Sequence, residues 1–131
     1  MLPFTVAFKP GLSVHEQVVF AVKKACVAGQ LRPGEPFPSV RALSQQLRIN
    51  PNTAHKVVAT LVAEGLLEVR PGVGTAVARA PAATRAQRRT LLQEETGRLV
   101  VEARKFSLEL QDVLDAIRDQ WKRLDSREVA L

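Results

Sequence analysis

Two helix-start signals lie so close together that they constrain this chain more than any other feature. Ser39 stands in an N-cap position, and Val40, Leu43 and Leu47 behind it recur at i, i+3 and i+7. That spacing gives a helix to about Leu47 with one apolar face. Arg48-Ile49 then lead into Asn50-Pro51. Asn is a good N-cap, and Pro at the first helical position has the required φ and no N–H to waste. Ala54, Val57, Val58, Leu61 and Val62 form the inner face of a helix running to about Glu64, and Gly65 ends it. Only three or four residues separate the two helices. A connection that short makes a helix-turn-helix, whose second helix is free to enter a groove.

The flanks complete a small domain. Ser13-Val14-His15-Glu16 reads as a capping box, with the hydroxyl and the carboxylate each placed to satisfy an orphan backbone N–H. Val14, Val18, Val22 and Ala25 follow at helical spacing, and Gly29 is a stop. Residues 30–38 (QLRPGEPFP) hold three prolines and a glycine and make a turn-rich connector. Residues 4–8 (FTVAF) are β-prone and form either a short strand or an ordered N-terminal arm. Leu66–Arg70 and Thr75–Ala78 are extended runs around Pro71-Gly72-Val73-Gly74, which reads as a hairpin with a turn of about four residues. A helix-turn-helix followed by such a hairpin is a winged helix.

Residues 80–86 (APAATRA) read as a low-complexity linker. Beyond it Leu92, Thr96, Leu99, Ala103, Phe106, Leu110, Val113 and Ile117 alternate in steps of four and three, a heptad seam that Trp121 and Leu124 continue. Leu91, Val100, Leu108 and Leu114 widen the face. Ser107 resembles an N-cap with Glu109 in the first turn. The favoured reading is therefore two helices, about 84–104 and 107–125, folded back as a hairpin. One continuous coiled-coil helix is the alternative. The expected fold is mostly α with a small β wing. It comprises a winged helix-turn-helix over 1–79, a linker over 80–86 and a helical dimerisation tail over 87–131.

Charge supports a polyanionic partner. The formal net charge is +6, and residues 1–79 hold nine Lys/Arg against four Asp/Glu, whereas residues 80–131 hold ten against nine. A basic excess confined to one segment suits nucleic acid there, or serves solubility alone. Cys26 is the single cysteine, so an intramolecular disulfide is excluded and a reducing compartment is compatible. On the inner face of its helix it reads as a structural thiol. The start MLPFTVAFKP lacks the pattern of a secretory signal, and no apolar run approaches the ~18–20 residues of a membrane span. These features lead to the expectation of a cytoplasmic protein. His15 and His55 are forty residues apart with no ligand at metal spacing, and no phosphate-loop or dinucleotide motif occurs. No metal, cofactor or catalytic residue is expected, and the residues after the wing are too few for an enzymatic domain.

From Gly29 to Val77 the order of motifs resembles the DNA-binding domain of the GntR family of bacterial regulators. The markers are Pro33-Gly34-Glu35, Pro38-Ser39-Val40-Arg41, Asn50 to Thr53, Glu64-Gly65-Leu66 and Gly72-Val73-Gly74-Thr75. The short helical tail and the Asn50-Pro51-Asn52-Thr53 run are similar to the YtrA subfamily, whose two-helix element serves dimerisation in place of a ligand-binding domain. The sequence departs from the family in the wing: Val73 stands where a basic or polar residue is common, and Ala76 where an aromatic is common.

The resemblance implies a sequence-specific regulator, expected to be a repressor, that binds a pseudo-palindromic operator as a homodimer. Helix-turn-helix docking places base-reading side chains at the start of the second helix, here Asn52, Thr53, His55 and Lys56. Asn52 can pair bidentately with adenine, Thr53 suits a phosphate or a thymine methyl, and His55 and Lys56 suit guanine or phosphate. Asn50 is either a pure cap or a cap that also meets phosphate, and His55 alternatively is simply solvated. Arg41 is a DNA contact by resemblance, or else a surface ion pair with Glu35 or Glu64. Ser39 caps its helix and can meet a phosphate. Arg70 and Gly72 are the wing candidates, Gly72 through a close backbone approach to phosphate.

Leu92, Leu99, Phe106, Leu110, Val113, Ile117 and Trp121 are the candidate dimer seam. Packing of that stripe on the chain's own winged domain is the alternative. A two-helix element this small cannot bury its own apolar face, which favours dimerisation. A competing function is protein–protein assembly through the winged helix without sequence reading. A small-molecule effector is open; a tail this short cannot enclose an ordinary pocket of ~300–1,000 Å³ within one subunit.

Overall fold

The computed structural model describes residues 2–79 and 81–125. The chain divides into two units, residues 1–80 and 81–131. In the first, α1 (Val14–Val27), α2 (Val40–Leu47) and α3 (Pro51–Ala63) precede a hairpin of β1 (Leu67–Arg70) and β2 (Gly74–Val77). The helices start where side-chain oxygens satisfy their free N–H groups. Ser13 accepts from Glu16 N at 3.2 Å, Ser39 from Ala42 N at 3.1 Å and Asn50 from Asn52 N at 2.7 Å. The hydroxyl half of the box at Ser13 is thus formed. Two helices end in Schellman turns. After α1, Gly29 N and Gln30 N donate to Cys26 O and Ala25 O, and after α3, Gly65 N and Leu66 N donate to Val62 O and Leu61 O.

Helix α3 packs against both α1 and α2. Val18, Val22, Leu43, Ala54, Val57 and Leu61 are wholly buried between them. Val58 and Val62, expected on the inner face, are only half-buried at its margin. The core is built from aliphatic side chains and closed by one aromatic pair. Phe4 lies flat on Phe37, ring centroids 6.0 Å apart and planes 6° from parallel. Residues 4–8 therefore form the ordered arm and not the strand. The arm's far end is tied down by Gln17, whose carboxamide accepts from Lys9 N and donates to Lys9 O and Leu12 O.

The strands pair antiparallel with Leu67 opposite Val77 and Arg70 opposite Gly74. The loop is thus Pro71-Gly72-Val73, and Gly74, read from sequence as part of the turn, opens the second strand. The proline-rich connector does more than turn. Gly34 N donates to Val77 O, Phe37 N to Thr75 O, and Val77 N to Glu35 O. The connector runs along the free edge of β2 with a bridge at Pro36 and Ala76. A ring nitrogen without a proton is tolerated at such an edge position.

The second unit is helical. Helix α4 (Arg85–Arg89) passes through a π-helical turn (Thr90–Glu95) into α5 (Thr96–Lys105), and α6 (Leu110–Asp125) follows. The helix starts at a full capping box in which Thr84 Oγ1 accepts from Gln87 N and Gln87 Oε1 accepts from Thr84 N. The helix thus begins at Arg85, next to the expected start at about 84, and takes the last two residues of the expected linker. Ser107 is not an N-cap. It sits in the left-handed region at φ 59, with Ser107 N bonded to Arg104 O and Leu108 N to Ala103 O, so it closes α5. The next helix is started by Asp112, whose carboxylate accepts from Glu109 N at 2.8 Å. This break makes the tail two helices, as favoured, but α5 and α6 do not pack along their lengths, so the expected fold-back into a hairpin is not formed within the chain. No helix of the described residues is long and apolar enough to cross a membrane.

Candidate nucleic-acid interface

Burial of Ala54, Val57 and Leu61 fixes how α3 is rotated. At 100° per residue the opposite side carries Asn52, His55, Lys56 and Ala59, all exposed, while Thr53 is half-buried on the flank. Polar side chains occupy the first two turns of this face, and small alanines follow at positions 59 and 63. Such a surface lets a helix lie close in a major groove with its reading groups at one end. The Asn52 carboxamide has no hydrogen-bond partner among the described residues, so both its donor and its acceptor face outward unused. Asn50 is different: its oxygen is committed to the cap, and its NH₂ group is left to donate.

Arg41 projects from the first turn of α2. Both ion-pair partners considered for it are engaged elsewhere. Glu64 binds Lys23 at 2.7 Å, and the Glu35 carboxylate accepts from Arg32 N at 2.7 Å. Among the described residues Arg41, Arg48 and Lys56 make no ion pair. The reason is visible in the chain: no Asp or Glu occurs between Glu35 and Glu64. Helices usually gain from acidic residues in the first turn, and α2 and α3 have none there. Two positive helix ends and three cations without an ion pair thus belong to a run of chain, residues 36–63, that holds no acidic residue. The acid-free run and Ala59 were not singled out as part of the site from sequence, although the acid-free run can be read from the string itself.

The wing contributes less. Arg70 Nε and Nη2 both bind Glu68 Oε1, at 3.1 and 2.8 Å, so its charge is largely met inside β1. Gly72 has φ 76, and a Cβ added there would touch nothing. Its backbone conformation alone calls for glycine, whether or not a phosphate approaches. Between α1 and α3, the His15 ring Nε2 bonds Thr60 Oγ1 at 2.8 Å, so that histidine has a packing role. Burial raises the pKa of the Cys26 thiol, which fits a structural thiol.

The family model of bacterial regulatory proteins, gntR family, matches residues 14–77. The HTH-type transcriptional repressor YtrA of Bacillus subtilis is 30% identical over 107 residues, 81% of this chain and 82% of that protein. This chain belongs to the GntR family. Its winged helix is that of a DNA-binding transcriptional regulator, and its similarity to YtrA extends past the wing into the tail. Solved structures that share the fold include two from other organisms. A transcriptional antiterminator from Listeria monocytogenes EGD-e superposes with a TM-score of 0.83 at 20% identity, over 94% of this chain and 92% of that one. YtrA from Sulfolobus acidocaldarius, a GntR-family transcription factor, gives 0.52 at 20% identity, over 93% and 99%. GntR-family membership thus agrees with the outward face of α3.

The tail's candidate seam is laid bare in the single chain. Leu92, Leu99, Phe106, Leu110, Ile117 and Trp121 are exposed, the last at 71%, and Val113 is half-buried. Of the apolar side chains on these helices only Ala103 is buried. The turn at Phe106–Glu109 divides the seam, so Leu92 and Leu99 precede it, Phe106 sits in it as the cap of α5, and Leu110, Val113, Ile117 and Trp121 lie on α6.

Proposed function

We propose that this GntR-family protein is a cytoplasmic transcriptional repressor that binds a pseudo-palindromic operator as a homodimer. Each protomer lays α3 in a major groove, with Asn52, His55 and Lys56 on base edges and Arg41, Ser39, Asn50 and Thr53 on phosphates. Arg70 and Gly72 add a weaker contact from the wing. The observation that carries this reading is the outward face of α3: unpaired polar groups in a run of chain free of acidic residues. Repression follows the name borne by the Bacillus subtilis relative. Dimerisation rests on the exposed apolar faces from the π-helical turn through α6, too extensive for a monomer in water, and on the twofold symmetry that operators share with helix-turn-helix dimers. The reading invokes no catalysis, cofactor or metal.

The test is binding to the DNA upstream of its own coding sequence, followed by fluorescence anisotropy over a salt series. Asn52→Ala loses a bidentate base contact worth about 1–3 kcal/mol and relaxes discrimination. Arg41→Ala weakens operator and random duplex alike and makes the salt dependence shallower by about 0.9 per contact. Equal binding to random DNA, untouched by either substitution, would instead favour a winged helix used for protein–protein assembly.

A further inference from the structure

The tail carries a charge pattern that dimerisation does not use. Beyond the π-helical turn, four of its cations are held by acids one turn away on their own helix: Arg98 by Glu95, Lys105 by Glu102, Arg118 by Asp115 and Arg123 by Asp119. Before that turn the pattern reverses. Arg85, Arg88 and Arg89 stand at i, i+3 and i+4 on one exposed face, and none has an ion-pair partner among the described residues. Their neighbours at three and four residues' distance are Pro, Ala, Thr, Leu, Gln or each other. Arg79, also exposed, precedes them. No acidic residue occurs between Glu68 and Glu94.

Like charges at i, i+3 and i+4 repel and weaken a helix. The reciprocal Thr84–Gln87 cap nevertheless fixes the helix start directly before them. The apolar face offers no relief, because it begins only at Leu91 and Leu92, beyond these arginines. A twofold pairing of this segment would bring arginines against arginines. The partner that removes the repulsion is a polyanion.

We propose that Arg85, Arg88 and Arg89 form a second phosphate-binding element, which grips the duplex backbone outside the bases read by α3. The proposal rests on the DNA-binding reading above. The chain from Val77 to Arg85 spans eight residues. Fully extended it reaches at most about 29 Å, less than one turn of B-DNA at about 34 Å. The arginines are therefore tethered to the reading domain within reach of the same duplex. Phosphates carry no sequence, so this element adds affinity and salt dependence without specificity. Guanidinium groups suit it, since each presents a fork of donors to phosphate oxygens.

The experiment uses the full chain, a labelled duplex of its own upstream DNA and a random duplex of equal length. The variants are R85Q/R88Q/R89Q and R85K/R88K/R89K. For the glutamine variant the slope of log affinity against log salt becomes shallower by about 2.7, or about 0.9 per arginine, on both duplexes. The ratio of the two affinities stays as in the wild type, and the lysine variant recovers most of the slope. Light scattering shows the same oligomeric state for all three proteins. An unchanged slope in a wild type that does bind DNA overturns the proposal. So does a loss of binding that tracks loss of the oligomer, which assigns the arginines to subunit contacts. A wild type that binds neither duplex overturns the DNA-binding reading itself.

Discussion

Substituting Phe4 tests whether the N-terminal arm is part of the DNA-binding domain. Phe4 is 5% exposed and its ring lies on that of Phe37, itself 6% exposed. A buried Phe removes roughly 200 Å² from water, which at about 25 cal/mol per Å² sets an upper bound near 5 kcal/mol. Measured Phe→Ala losses run about 3–5 kcal/mol. The low end applies to Phe4, because the arm makes no ladder and can partly close over the gap. The expected cost of Phe4→Ala is therefore about 3 kcal/mol. For a unit of this size that is a fall in melting temperature of roughly 12–24 °C, at about 4–8 °C per kcal/mol. Phe4→Leu keeps most of the volume and costs under about 1.5 kcal/mol. Thermal unfolding by circular dichroism gives the shift, and hydrogen exchange of α1 and α3 amides assigns it to this unit. A melting temperature for Phe4→Ala within about 2 °C of the wild type would refute the packing argument.

Further outcomes follow from individual positions. Asn50→Ala removes the cap of α3 and costs about 1 kcal/mol by denaturant titration, and it loosens DNA binding beyond that of a surface control. Arg48 ends α2 at φ 56, ψ 48. Arg48→Gly relieves that conformation and raises stability by up to about 1 kcal/mol, while DNA affinity falls through loss of a cation; a drop in stability would contradict the strain argument. Burial raises the Cys26 pKa, so iodoacetamide labelling at pH 8 is slower in the folded protein than in urea. Equal rates would show the thiol to be open. Trp121→Ala and Leu99→Ser shift the oligomer toward monomer in sedimentation and weaken operator binding more than random-duplex binding.

The helix-turn-helix was legible because its boundaries are chemical. Ser39, Asn50-Pro51 and Gly65 each satisfy or stop a backbone in a way that depends on local sequence. The wing was legible to within a residue, Gly74 joining β2 because its pairing with Arg70 shortens the loop. What the string concealed depends on distant partners. Residues 4–8 have strand composition, yet Phe4 finds a ring thirty-three residues away and no strand beside it. Three prolines hid the connector's pairing with β2, because Gly34 and Phe37 supply the donors between them. Ser107 carries the usual mark of a helix start but takes the left-handed position that ends α5. The Thr84–Gln87 box, by contrast, was readable as a motif, and it starts the helix at Arg85, next to the expected start at about 84. In the site, the outward rotation of Asn52, His55 and Lys56 followed from periodicity. That Arg41 stands without Glu35 and Glu64 required knowing where those carboxylates bind.

Two copies of α3 reading one operator would leave a symmetric footprint. Hydroxyl-radical footprinting of the full chain on its own upstream DNA, with the number of protomers per duplex measured by light scattering, tests it most directly. The expected result is two protected patches related by twofold symmetry, centred about 10 base pairs or a multiple apart, with two protomers bound and both patches weakened by Asn52→Ala. A single unsymmetric patch, one protomer per site, or protection indifferent to Asn52 would contradict it.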